Sequence, residues 1–301
     1  MTTVIDRPPK GGAGSISAAL WKRPWLKLVT TLGPPLAWFV LIYLASLVTL
    51  LVTAFFTINS FTTDIVHRFS LSNFQELLSN PAYRAITLRT IGMAAAVTVT
   101  DAILAFPLAY FMARVAHPRM RALLFVAVLI PLWASYLARV YAWILIFTNH
   151  GFLNWLLDKL GLGPVTLAYT NTSLWVVLSY IWLPFMIIPI YAALERVPDS
   201  LLEASVDLGA RGWRTTRSVV LPLALPGVVA GSIFTFSLTL GDFIAPLLVG
   251  GAGSKFIGNV VYESVGVSGN IPFAAAFATF PVVIMALYLV AARKLGAFEA
   301  V

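Results

Sequence analysis

Two acidic residues, Asp101 and Asp242, stand inside stretches of sequence that are otherwise apolar. A carboxylate in such a setting is expensive and is retained mainly where it serves a solute, an ion or a polar partner. Asp242 lies in TLGDFIAP, where Gly241 and Pro246 loosen a helix beside a cavity and Phe243 offers a face for stacking. Asp101 has Thr98 and Thr100 nearby. For Asp101 the open alternatives are solute contact, an ion pair with Arg89 or Arg139, or a hydrogen bond to a neighbouring helix. A second polar island, EASVDLGARGWRTTRSVVLP (Glu203 to Pro222), puts two carboxylates, three arginines and two glycines between long apolar runs.

Bond-making chemistry is not indicated. The chain has no G-x-x-x-x-G-K-[ST] phosphate loop, no H-E-x-x-H and no G-x-S-x-G, and its three histidines, His67, His117 and His150, fall on different predicted loops. It contains no cysteine, which excludes disulfides and thiolate metal sites. Energy from a nucleotide would have to come from another chain.

The elements that must position these residues are membrane helices. Of 301 residues, 59% are hydrophobic and 11% charged, against about 25% charged in soluble domains. A bilayer core needs roughly 20 apolar residues per helix. Six such spans are predicted, at Pro34 to Phe56, Ile91 to Ala113, Leu123 to Trp143, Leu174 to Ala193, Leu223 to Leu248 and Phe273 to Ala292. The expected class is an all-α integral membrane protein, with a cytoplasmic tail at 1–33 and a membrane domain at 34–301. The tail is expected not to be a cleaved signal peptide, and its segment from Arg7 to Ser17, rich in Pro and Gly, to be disordered.

Cytoplasmic loops carry an excess of Lys and Arg. Fourteen of the twenty basic residues cluster before the first span and after the second, fourth and sixth. This pattern predicts that both termini are cytoplasmic, in agreement with an even number of crossings. The net charge of +8 is thus a topology signal rather than a nucleic-acid footprint. Two outer segments, SNFQELLSNPAYRAI and GFLNWLLDKLGLG, read as short amphipathic helices at the membrane surface or as simple connectors. Trp38, Tyr43, Trp133, Trp143, Trp175 and Trp182 fall near span ends, as interfacial belts do.

The polar island can be parsed further. Ser200 and Glu203 have capping-box spacing, so a helix is expected to begin there. Leu201, Leu202, Ser205 and Leu208 share a face, and Gly209 stands where a left-handed cap ends a helix. The chain should then restart at a new angle and run to Pro222. Such a segment is either a knob for another protein to grip or a connector whose arginines enforce topology.

Glu203-Ala204-Ser205, three residues, Gly209-Ala210, and then Leu221-Pro222 together resemble the EAA loop of ABC importer permeases. Ser205 replaces the usual second alanine and keeps a small side chain. PLWASYLARVYAW (Pro131 to Trp143), GFLN (Gly151 to Asn154) and LTLGDFIAPLLVGG (Leu238 to Gly251) are similar to the permeases of spermidine/putrescine importers, the PotB-like branch.

The resemblance implies a type I importer (MetI-like) fold in a bacterial inner membrane. It also implies a second, homologous and different permease, two ABC ATPase subunits that hold ATP and Mg, and an extracytoplasmic solute-binding protein. No cofactor is expected on this chain. The loop at about 195–222 would form a coupling helix seated on the ATPase. Ser200, Glu203, Ala204, Ser205, Gly209 and Ala210 then become coupling residues. Arg211, Arg214 and Arg217 either pair with ATPase acids or hold the loop inside. A polyamine needs carboxylates and aromatic faces, which makes Asp242, Phe243, Asp101, Tyr136, Tyr141 and Trp143 path candidates. The alternatives are a related importer for another small solute or a secondary transporter or channel. The latter would need no capped knob and would more often show internal repeats. A membrane enzyme lacks any clustered catalytic set here.

Overall fold

Backbone N–H and C=O groups cannot be left unpaired in hydrocarbon, so apolar runs of this length must close their hydrogen bonds within helices. The computed structural model describes residues 24–59, 62, 64–251 and 253–294. The predicted disordered segment and the basic residues Arg7, Lys10, Lys22 and Arg23 lie outside the described residues.

The chain divides into two units, residues 1–53 and 54–301. The first holds one long helix, α1 (Leu28–Thr53), with a π-helical stretch at Phe39–Leu44 just after Pro34 and Pro35. The second opens with a two-residue hairpin, β1 (Thr57–Ile58) against β2 (Ile65–Val66), and a short helix α2 (Ser72–Ser79). Buried Asn73 donates to the carbonyls of Ala54 and Phe56 at 3.1 and 2.8 Å, pinning the loop to α2.

The second predicted span is longer than hydropathy alone indicates. It runs as α3 (Pro81–Val115), because Asn80 accepts from the Ala82 N–H and Pro81 occupies the first turn. SNFQELLS is therefore a separate helix, whereas PAYRAI opens a span. GFLNWLLDKLGLG contains the expected short helix, α6 (Phe152–Lys159).

The third predicted span, Leu123 to Trp143, is not one helix. It comprises α4 (Pro118–Trp133) and α5 (Tyr136–Phe147), and the chain bends by 95° between them. Ala134 and Ser135 adopt extended backbone, which stops the hydrogen-bond column, and Pro131 one turn earlier has already removed a donor from it. The fourth span is α7 (Asn171–Glu195), started by a capping box in which Thr170 and Ser173 exchange hydrogen bonds.

Next come α8 (Asp199–Asp207) and α9 (Gly212–Gly241). Pro222 does not end a helix as expected. A π-helical turn at Thr216–Val220 precedes it, and the wider turn accommodates the missing N–H so that α9 continues. The fifth predicted span stops at Gly241, after which α10 (Ile244–Leu248), α11 (Ile257–Gly266) and α12 (Ile271–Lys294) follow. Among the described residues, five helices can cross a membrane unbroken, and the bent pair makes a sixth crossing at most.

One of the buried clusters of the second unit is a three-helix contact. Ala105, Ala109 and Met112 of α3, Met186, Ile190 and Leu194 of α7, and Val220 and Ala224 of α9 are all buried together. Gly227 and Gly231 carry α9 onto α7. A Cβ at Gly227 would lie 2.5 Å from the Ala193 Cβ and 2.6 Å from the Pro189 oxygen; one at Gly231 would lie 2.7 Å from the Met186 Sδ. Lipid tails are as apolar as leucine, so such close van der Waals packing between small residues is what joins helices here.

Candidate functional site

Two places gather the polar residues singled out by the sequence. The first is the connection from α7 to α9. Pro198, in extended backbone, precedes α8 and offers no side-chain cap, and Asp199 opens the helix. The predicted capping box between Ser200 and Glu203 is therefore absent. Proline sets the entry one residue pair earlier, which places Ser200 inside the first turn.

The other end of α8 is built as expected. Gly209 has φ +79°. Its N–H bonds to the Val206 carbonyl at 2.8 Å and the Ala210 N–H to the Ser205 carbonyl at 3.1 Å, a Schellman termination. Ser205 and Thr215 hydroxyls meet at 3.0 Å and tie α8 to the restarting α9. Leu202 packs on the three-helix core, whereas Leu208 is 89% and Trp213 75% exposed. Leu201, Ala204, Ser205, Leu208, Ala210 and Arg214 line a surface cleft of about 420 Å³. Glu203, Arg211, Arg214 and Arg217 are exposed, and none forms an ion pair among the described residues.

The second place is the break after α9. Asp242 is buried, and its Oδ1 accepts the N–H groups of Ile244 at 2.9 Å and Ala245 at 3.2 Å, so the carboxylate caps α10. The Tyr136 hydroxyl donates to its Oδ2. The break between α4 and α5 is what brings Tyr136, first residue of α5, to this point. Trp182 of α7 stacks on Tyr136 with centroids 5.9 Å apart. Phe243 stacks on Tyr262 of α11 at 5.2 Å, and Asn259 holds the Phe243 carbonyl at 2.8 Å. Tyr136, Trp182, Asp242 and Phe243 border a cleft of about 330 Å³, completed by α9 residues. A carboxylate beside π-faces is an arrangement that attracts organic cations.

The remaining path candidates lie elsewhere. Tyr141 is exposed, and Trp143 packs on Phe147 and Tyr180 with centroids 5.2 and 5.3 Å away; neither lines the cleft. Asp101 is fully buried between α3 and α7 beside Ser179. It pairs with neither Arg89 nor Arg139: Arg89 reaches the Lys255 carbonyl at 3.4 Å, and no ion pair among the described residues includes Asp101. The Arg139 guanidinium instead lies 5.9 Å from the centre of the Tyr136 ring.

A family model described as binding-protein-dependent transport system inner membrane component matches residues 105–296, which include both places. The chain belongs to this family. It is thus a multi-pass inner-membrane component of a transport system. It is 49% identical to the inner membrane ABC transporter permease protein YdcU of Escherichia coli, over 99% of this chain and 98% of that one. It is also 34% identical to the spermidine/putrescine transport system permease protein PotB of Escherichia coli, over 73% of this chain and 80% of that one. Among solved structures, a bacterial alginate ABC transporter chain superposes with a TM-score of 0.76 at 18% identity, covering 95% of this chain and 98% of that chain. A chain of the MetNI methionine ABC transporter does so with a TM-score of 0.57 at 17% identity, covering 73% and 96%. These likenesses establish the permease fold.

Several participants were not singled out in the sequence. Trp182 was assigned only to an interfacial belt, and Tyr262 and Asn259 had no assignment, since nothing local marks them as neighbours of Asp242. Gly227 and Gly231 did carry a usable signal, small residues four apart in an apolar run.

Proposed function

We propose that this chain is one of two permease subunits of an ATP-driven importer for a polyamine such as putrescine or spermidine. The observation that carries the cargo class is the cleft in which buried Asp242 stands among Tyr136, Trp182 and Phe243. Kinship with PotB proteins at 33–34% identity supports the same class. The exposed, firmly terminated α8, flanked by Leu208 and Trp213, supports a docking role for the α7–α9 connection toward a cytoplasmic ATPase. Its basic residues, with those near the other predicted inner loops, support cytoplasmic termini. A second permease and a solute-binding protein complete the proposed assembly.

The test is reconstitution of the chain with its partner permease, ATPase and binding protein in proteoliposomes. Labelled putrescine and spermidine are expected to enter only with ATP inside the ATPase compartment. Uptake of a neutral or anionic solute with no response to polyamines would overturn the cargo assignment. An anionic cargo is the second reading, favoured by Arg139 next to Tyr136, two of whose buried nitrogens have no protein partner among the described residues.

A further inference from the structure

Arg114 lies at the C-terminal end of α3, in a π-helical turn spanning Phe111–Val115. Its side chain is only 12% exposed, and it reaches across to the other side of the α7–α8 corner. Nη2 donates to the carbonyls of Leu194, in the last turn of α7, and Val197, the second residue beyond it. Nη1 donates to Asp199 Oδ1 at 2.8 Å, the first residue of α8. One planar group therefore holds a membrane span, the end of a second span and the start of the exposed helix.

The chemistry favours this placement. Carbonyls in the last turn of a helix lack intrahelical donors, and a cation there also meets the negative end of the helix dipole. The guanidinium presents its donors in a fixed fork, which an ammonium on a flexible stem does not reproduce. The two carbonyl bonds dominate, because Asp199 is 82% exposed and an exposed ion pair contributes little. A neighbouring set reinforces the corner: Arg121 of α4 donates to the Ala113 carbonyl at 3.2 Å and approaches Glu195 at 3.5 Å, and Tyr191 donates to Glu195.

We infer that Arg114 is a positioning residue that passes the displacement of α8 into α3 as well as α7, so that motor and membrane path move as one body. This rests on the proposed docking of α8 to an ATPase. Without the clamp, α8 stays attached to the bundle through the single strand of chain at Arg196–Pro198 and through Leu202 and Ser205, and its movement reaches the end of α3 only indirectly, through the packed core.

The experiment compares wild type, Arg114→Gln, Arg114→Lys and Asp199→Asn in the full reconstituted assembly, with uptake and ATP hydrolysis measured in the same vesicles. The expected result for Arg114→Gln is an assembly of normal composition that hydrolyses ATP within about twofold of wild type while solute moved per ATP falls at least about tenfold, as befits loss of charge-assisted hydrogen bonds. Arg114→Lys should recover less than half of that loss. Asp199→Asn should stay within about twofold of wild type. Uptake per ATP unchanged in Arg114→Gln, or uptake and hydrolysis falling in parallel, overturns the inference.

Should Arg114→Gln fail to assemble, a second arm decides. The chain has no native cysteine, so Arg114→Cys with Asp199→Cys can be joined by a short bis-maleimide in the purified permease before the partner subunits are added. Restored uptake per ATP on cross-linking supports the clamp, and none overturns it. If wild type itself shows no ATP-dependent uptake, the failure lies with the proposed function instead.

Discussion

Gly209 allows the sharpest test of α8 as a docking element. With φ +79°, it lies in the left-handed region, yet an added Cβ would meet nothing within 4 Å. Any effect of substitution there must come from backbone strain and not from crowding. A non-glycine residue in this region costs about 1–2 kcal/mol, with β-branched side chains at the upper end and asparagine well below it. Two kcal/mol lowers the ratio of native to frayed termination by about 30-fold, and apparent affinity for any partner that needs the native form falls by up to that factor. The Schellman bonds from Gly209 and Ala210 are the ones at stake, and with them the angle at which Ala204, Ser205 and Arg214 face the surface cleft. ATPase binding is therefore expected to weaken in the order Gly, Asn, Ala, Val, with Gly209→Val down about 10- to 30-fold and Gly209→Asn within about threefold. Titration of purified ATPase onto nanodisc-embedded permease, read by fluorescence anisotropy, measures this directly. Equal affinities for Asn and Val, or wild-type affinity for Val, would refute the argument.

Leu208→Asp puts a charge on the most exposed apolar residue of the loop and should reduce ATPase binding at least about tenfold without altering thermal stability in detergent, since Leu208 touches no core. Asp242→Asn should lower uptake of a polyamine about tenfold or more while the assembly still forms, because the amide oxygen keeps the cap on α10 while the charge and the acceptor for Tyr136 are lost. Tyr136→Phe retains the stack on Trp182 but removes a donor to that carboxylate, and should raise the KM for uptake more than it changes kcat. Gly231→Leu forces a side chain into the Met186 backbone and should cost about 1–3 kcal/mol, seen as a lowered melting temperature in detergent.

Hydropathy made the crossings legible because burial of apolar surface is a property of composition, summed over twenty residues. It missed the corner at Ala134–Ser135, across which the residues remain apolar while the backbone turns extended. Gly209 was readable because its conformation is one that other residue types avoid. The capping box was misread because Ser200 and Glu203 have the right spacing, and only the extended geometry at Pro198 decides where the helix begins. Asp242 was found through its isolation in an apolar run, but Trp182 and Tyr262 were not, since stacking partners carry no mark in sequence. Arg114 was hidden for a stronger reason. Two of its three acceptors are main-chain oxygens about eighty residues away, and a carbonyl is the same whatever side chain it accompanies.

The seam at Gly227 and Gly231 separates two kinds of change open to this lineage. Because α9 meets α7 there at the Pro189 and Met186 backbone and at the Ala193 and Met186 side chains, the seam forbids enlargement at the two glycines. Tyr136 and Phe243 of the pocket wall, with Tyr262 stacked on Phe243, lie on short segments beyond that seam, in α5, α10 and α11 or beside them, whereas Trp182, Ser237 and Leu238 lie on the long helices. If the cleft holds cargo as proposed, its preferences can shift at those short pieces while the long rods keep their spacing, and a survey of tolerated substitutions should find the two regions varying independently.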